Sequence, residues 1–181
     1  LKVANELGIV GKDPRSAIAY KFQTQEATTR ILGITHGIGR TGKLTPTAQL
    51  EAVSIGGVTV TSASLHNYDY AQSRDIRIGD RVQVIRSGDV IPYVVGALAD
   101  LRDGTEQRII PPERCPVCDT PIVQPQGAVD YYCPNTTCPE RVYRSLEFFV
   151  SRAAMDIEGM GGQTTKQLLD VGLIRDEADI F

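Results

Sequence analysis

Cys115-Pro-Val-Cys118 and Cys133-Pro-Asn-Thr-Thr-Cys138, fourteen residues apart, hold the only four cysteines of a 181-residue chain. Thiolates are soft ligands, and four of them close a tetrahedral shell around zinc. Spacers of two and four residues put each pair of sulfurs on one side of an ion. The interval between the pairs suits a short β-hairpin, with Asn or Gly at the turn and Tyr131-Tyr132 in the returning strand. The alternative is a pair of disulfides in a secreted domain. Closely spaced knuckles in an otherwise cysteine-free chain favour metal. Cys115, Cys118, Cys133 and Cys138 are therefore the expected ligands of one Zn²⁺. With no open position the ion is structural, holding together a segment too small to bury a core of its own.

Upstream of the cysteines, residues 28–98 read as β structure. Val53, Ile55, Val58 and Val60 flank Gly56-Gly57, a hairpin signal. Val82 and Val84 alternate with Arg81 and Gln83 after the Gly79-Asp80 turn, and Val90 to Val95 is a further apolar run that Pro92 places at an edge or bend. Ser64 to Ala71 fits a short helix or a connection. Several short strands in so short a block predict a small barrel, and the OB-fold is the commonest such barrel that binds nucleic acid. Asp100 to Pro112 is polar, ends in Pro111-Pro112, and reads as a linker.

Downstream, Pro139 to Val150 carries Val142, Leu146, Phe149 and Val150 on one helical face, with Arg141, Arg144 and Arg152 on the solvated side. Met155 to Gly172 reads as helix, glycine turn, helix. Leu168 and Leu169 face inward there, and Gly172 falls where a C-cap belongs. The turn Ile157-Glu-Gly159-Met-Gly161 has the form of a helix-hairpin-helix. Gly159 and Gly161 would let backbone N–H groups at the next helix N-terminus meet a DNA phosphate.

Composition bounds the function. The 41% hydrophobic and 23% charged content is ordinary for a globular protein. A net charge of −3 gives no global basic field, so any grip on nucleic acid must be local. From Ala27 to Leu50 there is no acidic residue, while Arg30, Arg40 and Lys43 are positive and His36 can be. The stretch His36-Gly-Ile-Gly-Arg-Thr-Gly-Lys43 is not a P-loop, because Leu44 stands where the magnesium-binding hydroxyl is needed. Its glycines suit a tight turn or a close approach to a phosphate backbone, with Arg40 and Lys43 as contacts. The longest candidate membrane run, Val90 to Ala99, is too short and contains Pro92 and Gly96. No signal peptide is visible, and a chain beginning at Leu1 reads as a fragment of something longer.

Barrel, four-cysteine module and helical hairpin, in that order, resemble the C-terminal half of bacterial NAD-dependent DNA ligases. The stretches that look like the family's own are Ala17-Ile-Ala-Tyr-Lys-Phe22, Gly39-Arg-Thr-Gly-Lys-Leu-Thr-Pro46, Leu65-His-Asn67, Arg77-Ile-Gly-Asp80, Arg86-Ser-Gly-Asp-Val-Ile-Pro92, the four cysteines, and Phe149 to Gly161. The resemblance implies a multidomain, mixed fold. Residues 1–22 would end a nucleotidyltransferase (adenylation) domain, 23–108 form a small all-β OB barrel, 109–142 a four-cysteine zinc finger, and 143–181 the first part of an α-helical helix-hairpin-helix domain.

It also implies an activity: joining a 3′-hydroxyl to a 5′-phosphate at a nick, by way of an adenylated lysine and a DNA-adenylate. The implied cosubstrate is NAD⁺, with Mg²⁺ or Mn²⁺, and the partner is nicked double-stranded DNA. A monomer in the bacterial cytoplasm, at the nucleoid and not in a membrane, is implied too. Lys21 and Lys2 resemble catalytic lysines that contact the phosphates of the AMP donor. Arg86 and Asp89 lie in the barrel motif that comes over the active site, with Arg86 a DNA contact. No lysine stands in the Lys-x-Asp-Gly pattern of the family's nucleophile. By the same resemblance the chain is expected to lack the module for the nicotinamide half of NAD, the remaining hairpins and the BRCT domain, and so to be inactive alone. The rival from another class is a non-enzymatic zinc-and-OB nucleic-acid-binding module. Such modules stack bases on aromatics; the absence of Trp and an aromatic content of 6% weigh against that.

Overall fold

Alternating burial along five strands builds the barrel. The computed structural model describes residues 6–11, 13–17, 25–86 and 91–181. Lys2, Lys21 and Asp89 lie outside the described residues. Ahead of the barrel, β1 (Ile9–Val10) pairs antiparallel with β2 (Asp13–Pro14).

The barrel strands are β3 (Gln25–Ile38), β4 (Leu44–Ile55), β5 (Val58–Ser64), β7 (Arg81–Arg86) and β8 (Tyr93–Ala97). They close in the order β3-β4-β5-β8-β7. One long strand makes closure possible. The first part of β3 pairs with β7 (Thr28 opposite Gln83), and its second part pairs with β4 (Thr35 opposite Thr47), with an irregular register between Ile31 and Gly33. The pairing of β5 with β8 is the parallel one, at Ser64 and Tyr93. This is the predicted OB barrel. Between β4 and β5, Gly56 and Gly57 have φ of +62° and +76°, the left-handed pair that a two-residue type I′ hairpin needs.

Inward-facing Ile31, Leu44, Ala48, Ile55, Val82, Val84 and Val94 are all almost completely buried. The predicted alternation of Val82 and Val84 is therefore the core face of β7. Helix α1 (Tyr68–Ser73) adds buried Tyr68 and Ala71 to the barrel's apolar cluster. Asn67 caps it, its side-chain oxygen accepting from the Tyr70 N–H at 2.7 Å.

The polar stretch after β8 is not a free linker. It starts with a 3₁₀ turn (Ala99–Leu101), and β9 (Gln107–Arg108) then pairs with β6 (Arg77–Ile78). Its polarity serves an ion cluster. Arg102 donates to both carboxylate oxygens of Asp80 at 2.7 and 2.9 Å and reaches Asp75 at 2.6 Å. Asp80 is only 1% exposed and also accepts from the Arg77 N–H.

Helix α2 (Pro139–Val150) starts directly after Cys138, with Pro139 at its first turn. Leu146 and Val150 are its buried residues, as the periodicity predicts. Helix α3 (Gly162–Asp170) packs on α2. It ends in a Schellman cap: the Gly172 N–H bonds the Leu169 carbonyl, the Leu173 N–H bonds that of Leu168, and Gly172 has φ +72°. Leu168 and Leu169 are half-buried, and Thr165 is the buried residue of the helix. Among the described residues no helix is long and apolar enough to cross a membrane.

Candidate metal centre and nucleic-acid interface

The metal centre is assembled by two tight turns. In the first, the Cys115 N–H bonds the Thr120 carbonyl and the Asp119 N–H bonds the Cys115 carbonyl, with Asp119 at φ +57°. The second follows a minimal hairpin in which Val123 and Tyr132 exchange hydrogen bonds of 2.9 and 2.8 Å, so Tyr132 does lie in the returning strand. The four sulfurs all lie within 4.8 Å of one another. Cys118 and Cys133 are 3.5 Å apart, and Cys115 and Cys138 4.0 Å apart. A tetrahedron with Zn–S of about 2.3 Å has edges of about 3.8 Å, so the donor set fits Zn²⁺. All four cysteines are free thiols, and three are buried. Thr120, whose Oγ1 is 3.3 Å from Cys118 Sγ, holds that thiol below its usual range, to about 6. Burial pushes Cys133 up to about 12, a proton that an incoming metal must displace.

The module is bonded to the barrel through the glycine-rich loop between β3 and β4. The Cys133 N–H donates to the Gly42 carbonyl at 2.9 Å, and the Leu44 N–H donates to the Tyr131 carbonyl at 2.8 Å. Gly42 has φ +85°, and a Cβ there would collide with the Cys133 carbonyl oxygen. Arg141 of α2 donates from Nη1 to that same carbonyl at 3.1 Å and from Nε to the Arg40 carbonyl at 3.4 Å. The buried cysteines belong to the same apolar cluster as the barrel core, and the Tyr131 ring meets that of Tyr68 edge-on at 5.5 Å.

The two cations expected to touch phosphate sit differently. Lys43 Nζ is 2.6 Å from Asp130 Oδ2, and Asp130 Oδ1 is buried without a partner among the described residues. Arg40 is exposed, with its guanidinium carbon 4.2 Å from the centre of the Phe148 ring. Among the described residues its side chain has no carboxylate partner. Arg86 is half-buried at the end of β7, opposite Gln25. The helix expected from Met155 is not formed: α2 ends at Val150 and residues 151–161 run as turns and bends up to α3. Within them Gly159 has φ +78° and Gly161 is the N-cap of α3, with open space around both. The adjoining Gly162 is packed tightly against Glu147 and Tyr143.

Four residues of this junction are not among the predicted sites: Gly42, Asp130, Arg141 and Phe148. Two of them left a local signal: Gly42 as one of the glycines of the turn before Lys43, and Phe148 as an aromatic residue lying off the apolar stripe of its helix.

Residues 28–106 match the NAD-dependent DNA ligase OB-fold domain, and residues 114–139 match the NAD-dependent DNA ligase C4 zinc finger domain. The chain belongs to the NAD-dependent DNA ligase family. Among curated relatives, it is 56% identical over 176 residues to a DNA ligase of Herpetosiphon aurantiacus, covering 97% of this chain and 26% of the relative. A DNA ligase of Chloroflexus aurantiacus is 55% identical over 177 residues, 97% of this chain and 25% of the relative. One of Fervidobacterium nodosum is 46% identical over 178 residues, 98% of this chain and 26% of the relative. The chain thus spans about a quarter of the length of the curated relatives it matches. The closed barrel and the four-sulfur cluster are the two domains that the matches name.

Proposed function

We propose that the intact protein seals nicks in duplex DNA, joining 3′-hydroxyl to 5′-phosphate through enzyme-AMP and DNA-adenylate intermediates, and that barrel, zinc module and helical hairpin grip the duplex. Family membership supports the reaction. The observation that carries the grip is Arg40, an exposed guanidinium without a carboxylate partner among the described residues, on a loop bonded to zinc module and helix alike. Fixed positive charge on a glycine-bearing turn suits a phosphate. Arg86 and the open turn at Gly159 and Gly161 extend the same surface assignment. Lys21 and Lys2 are assigned to the phosphates of the AMP donor. NAD⁺ would supply the AMP, and Mg²⁺ or Mn²⁺ would neutralise charge on the transferring phosphate. The protein would act as a monomer at the bacterial nucleoid.

The sequence alone assigns Arg40 and Lys43 equal weight as phosphate contacts; the ion pair of Lys43 with Asp130 supports giving Arg40 the larger share. Arg40→Ala is expected to reduce the slope of log binding constant against log salt by about one unit, with sequence preference unchanged. Lys43→Ala should alter the slope less and melting more, because it strips Asp130 of its one cation among the described residues. Titrating both variants with nicked duplex across a salt series checks this. A wild-type slope for Arg40→Ala would reduce the loop to a turn.

A second expectation concerns the chemistry. Incubated with NAD⁺ and Mg²⁺, the 181-residue chain should gain no AMP mass, since none of its lysines stands in Lys-x-Asp-Gly. In the full-length parent, Lys21→Ala should slow phosphoryl transfer by on the order of 10²-fold, the scale of deleting one donor to a developing anion. A covalent AMP adduct on the isolated chain, seen by mass spectrometry, would mean that the nucleophile lies within it.

A further inference from the structure

The loop between β3 and β4 and helix α2 carry four cations, Arg40, Lys43, Arg141 and Arg144, and three of these have hydrogen-bond partners among the described residues. Lys43 is paired with Asp130. Arg144 is paired with Glu140 and Glu147, each at 2.9 Å. Arg141 donates to the carbonyls of Cys133 and Arg40. Of the four, Arg40 has no side-chain hydrogen bond or carboxylate partner among the described residues, and its guanidinium lies over a ring of a neighbouring module rather than its own. The ring beneath it belongs to α2, on the far side of the metal centre in sequence. Phe148 is 41% exposed, so burial of its own ring does not account for its place.

We propose that Phe148 and Arg141 are positioning residues for Arg40, setting one cation at the junction of the three modules to receive a single backbone phosphate of the duplex. The π face of Phe148 fixes the plane of the guanidinium and leaves its N–H edge toward solvent. Arg141 fixes the loop backbone, because it ties the Arg40 carbonyl to the carbonyl of a metal ligand. The freedom that a long side chain would lose on meeting phosphate is thus removed beforehand. The zinc centre contributes as an anchor for the loop: the same Cys133 that offers a thiolate bonds Gly42 through its backbone N–H. This inference rests on the reading of the loop as a phosphate contact.

The test compares Phe148→Leu, Phe148→Trp, Arg141→Ala, Arg40→Ala and the double variant Arg40→Ala/Phe148→Leu, all in the zinc-loaded chain with nicked duplex as the probe. Phe148→Leu keeps an apolar helix former but removes the π face. It should weaken binding about two- to five-fold, and Phe148→Trp should restore wild-type affinity or better. In the Arg40→Ala background Phe148→Leu should change nothing more, because the two act as a unit. Arg141→Ala should speed amide hydrogen exchange at Gly42 and Cys133 with zinc content unchanged. Without DNA, the Arg40 side-chain resonances should be ring-current shifted in the wild type and relax in Phe148→Leu. An equal loss in both backgrounds, a Trp variant no better than Leu, or Arg40 resonances indifferent to Phe148 overturns the proposal. If Arg40→Ala itself leaves binding untouched, the phosphate reading fails, and the resonances alone decide whether Phe148 positions Arg40.

Discussion

Cys133→Ser is expected to abolish stoichiometric zinc and to unfold residues 114–138 together, while the five-stranded barrel remains folded. The hairpin between the cysteine pairs has a single β-bridge, Val123 to Tyr132, and the first turn has one more, Arg114 to Pro121. Such a segment cannot offset the entropy of ordering its backbone at roughly 1–2 kcal/mol per residue. Structural zinc in small modules supplies on the order of 10–16 kcal/mol, far more than any other interaction available there. The barrel has its own buried strands and α1, so its protection should persist. It should nonetheless melt lower, because Cys115, Cys133 and Cys138 share its apolar cluster and the Gly42 carbonyl loses its donor. Metal analysis and amide exchange check both halves. Equimolar zinc in purified Cys133→Ser would refute the four-thiolate assignment, and loss of barrel protection would refute its independence.

Arg102→Ala should be the most damaging substitution within the barrel domain. It leaves the carboxylate of Asp80, 1% exposed, with the Arg77 N–H as its one donor among the described residues. Removing one partner of a buried ion pair costs about 3–5 kcal/mol, chiefly through the uncompensated charge. For a chain of this size the melting point should fall by on the order of 10 °C. Asp80→Asn in the same background should recover part of that, since the stranded charge disappears. Equal melting of Arg102→Ala and wild type would show that water already satisfies Asp80. Acid should weaken the same cluster. Hydrogen bonds from Arg77 and then Arg102 hold the Asp75 carboxyl down, to about 2. A depressed carboxyl stabilises the fold above its unfolded value and loses that contribution as pH falls toward 2. The decline should therefore appear below about pH 4, and Asp75→Asn should flatten it.

Features whose cause is local are legible in the sequence. The cysteine spacing, the Gly56-Gly57 hairpin, the alternation around Val82 and Val84 and the cap at Gly172 each concern residues a few positions apart. The geometry bears all of them out. Pairings across long separations escape the sequence. Lys43 meets Asp130 across 87 positions, and Arg141 meets the Arg40 carbonyl across 101. No periodicity marks such partners, so an arginine face on α2 reads as merely solvated when one of its members joins two modules. Asp100 to Pro112 reads as a linker for the same reason. Its polar composition resembles solvent-exposed chain until Arg102 is seen reaching Asp75 and Asp80. The split pairing of β3 between β4 and β7 likewise depends on where the barrel closes.

The collision awaiting any side chain at Gly42 has a consequence for inheritance. Barrel and zinc module occupy separate sequence blocks and look like parts that recombination could exchange freely at the prolines between them. Yet the carbonyl of Cys133 occupies the space a Cβ at Gly42 would fill, and Arg141 closes over both. A zinc module moved onto a foreign barrel would meet a loop not shaped to receive it unless residues 39–43 travelled with it. The natural unit of exchange is therefore larger than either domain, and it is discontinuous along the chain.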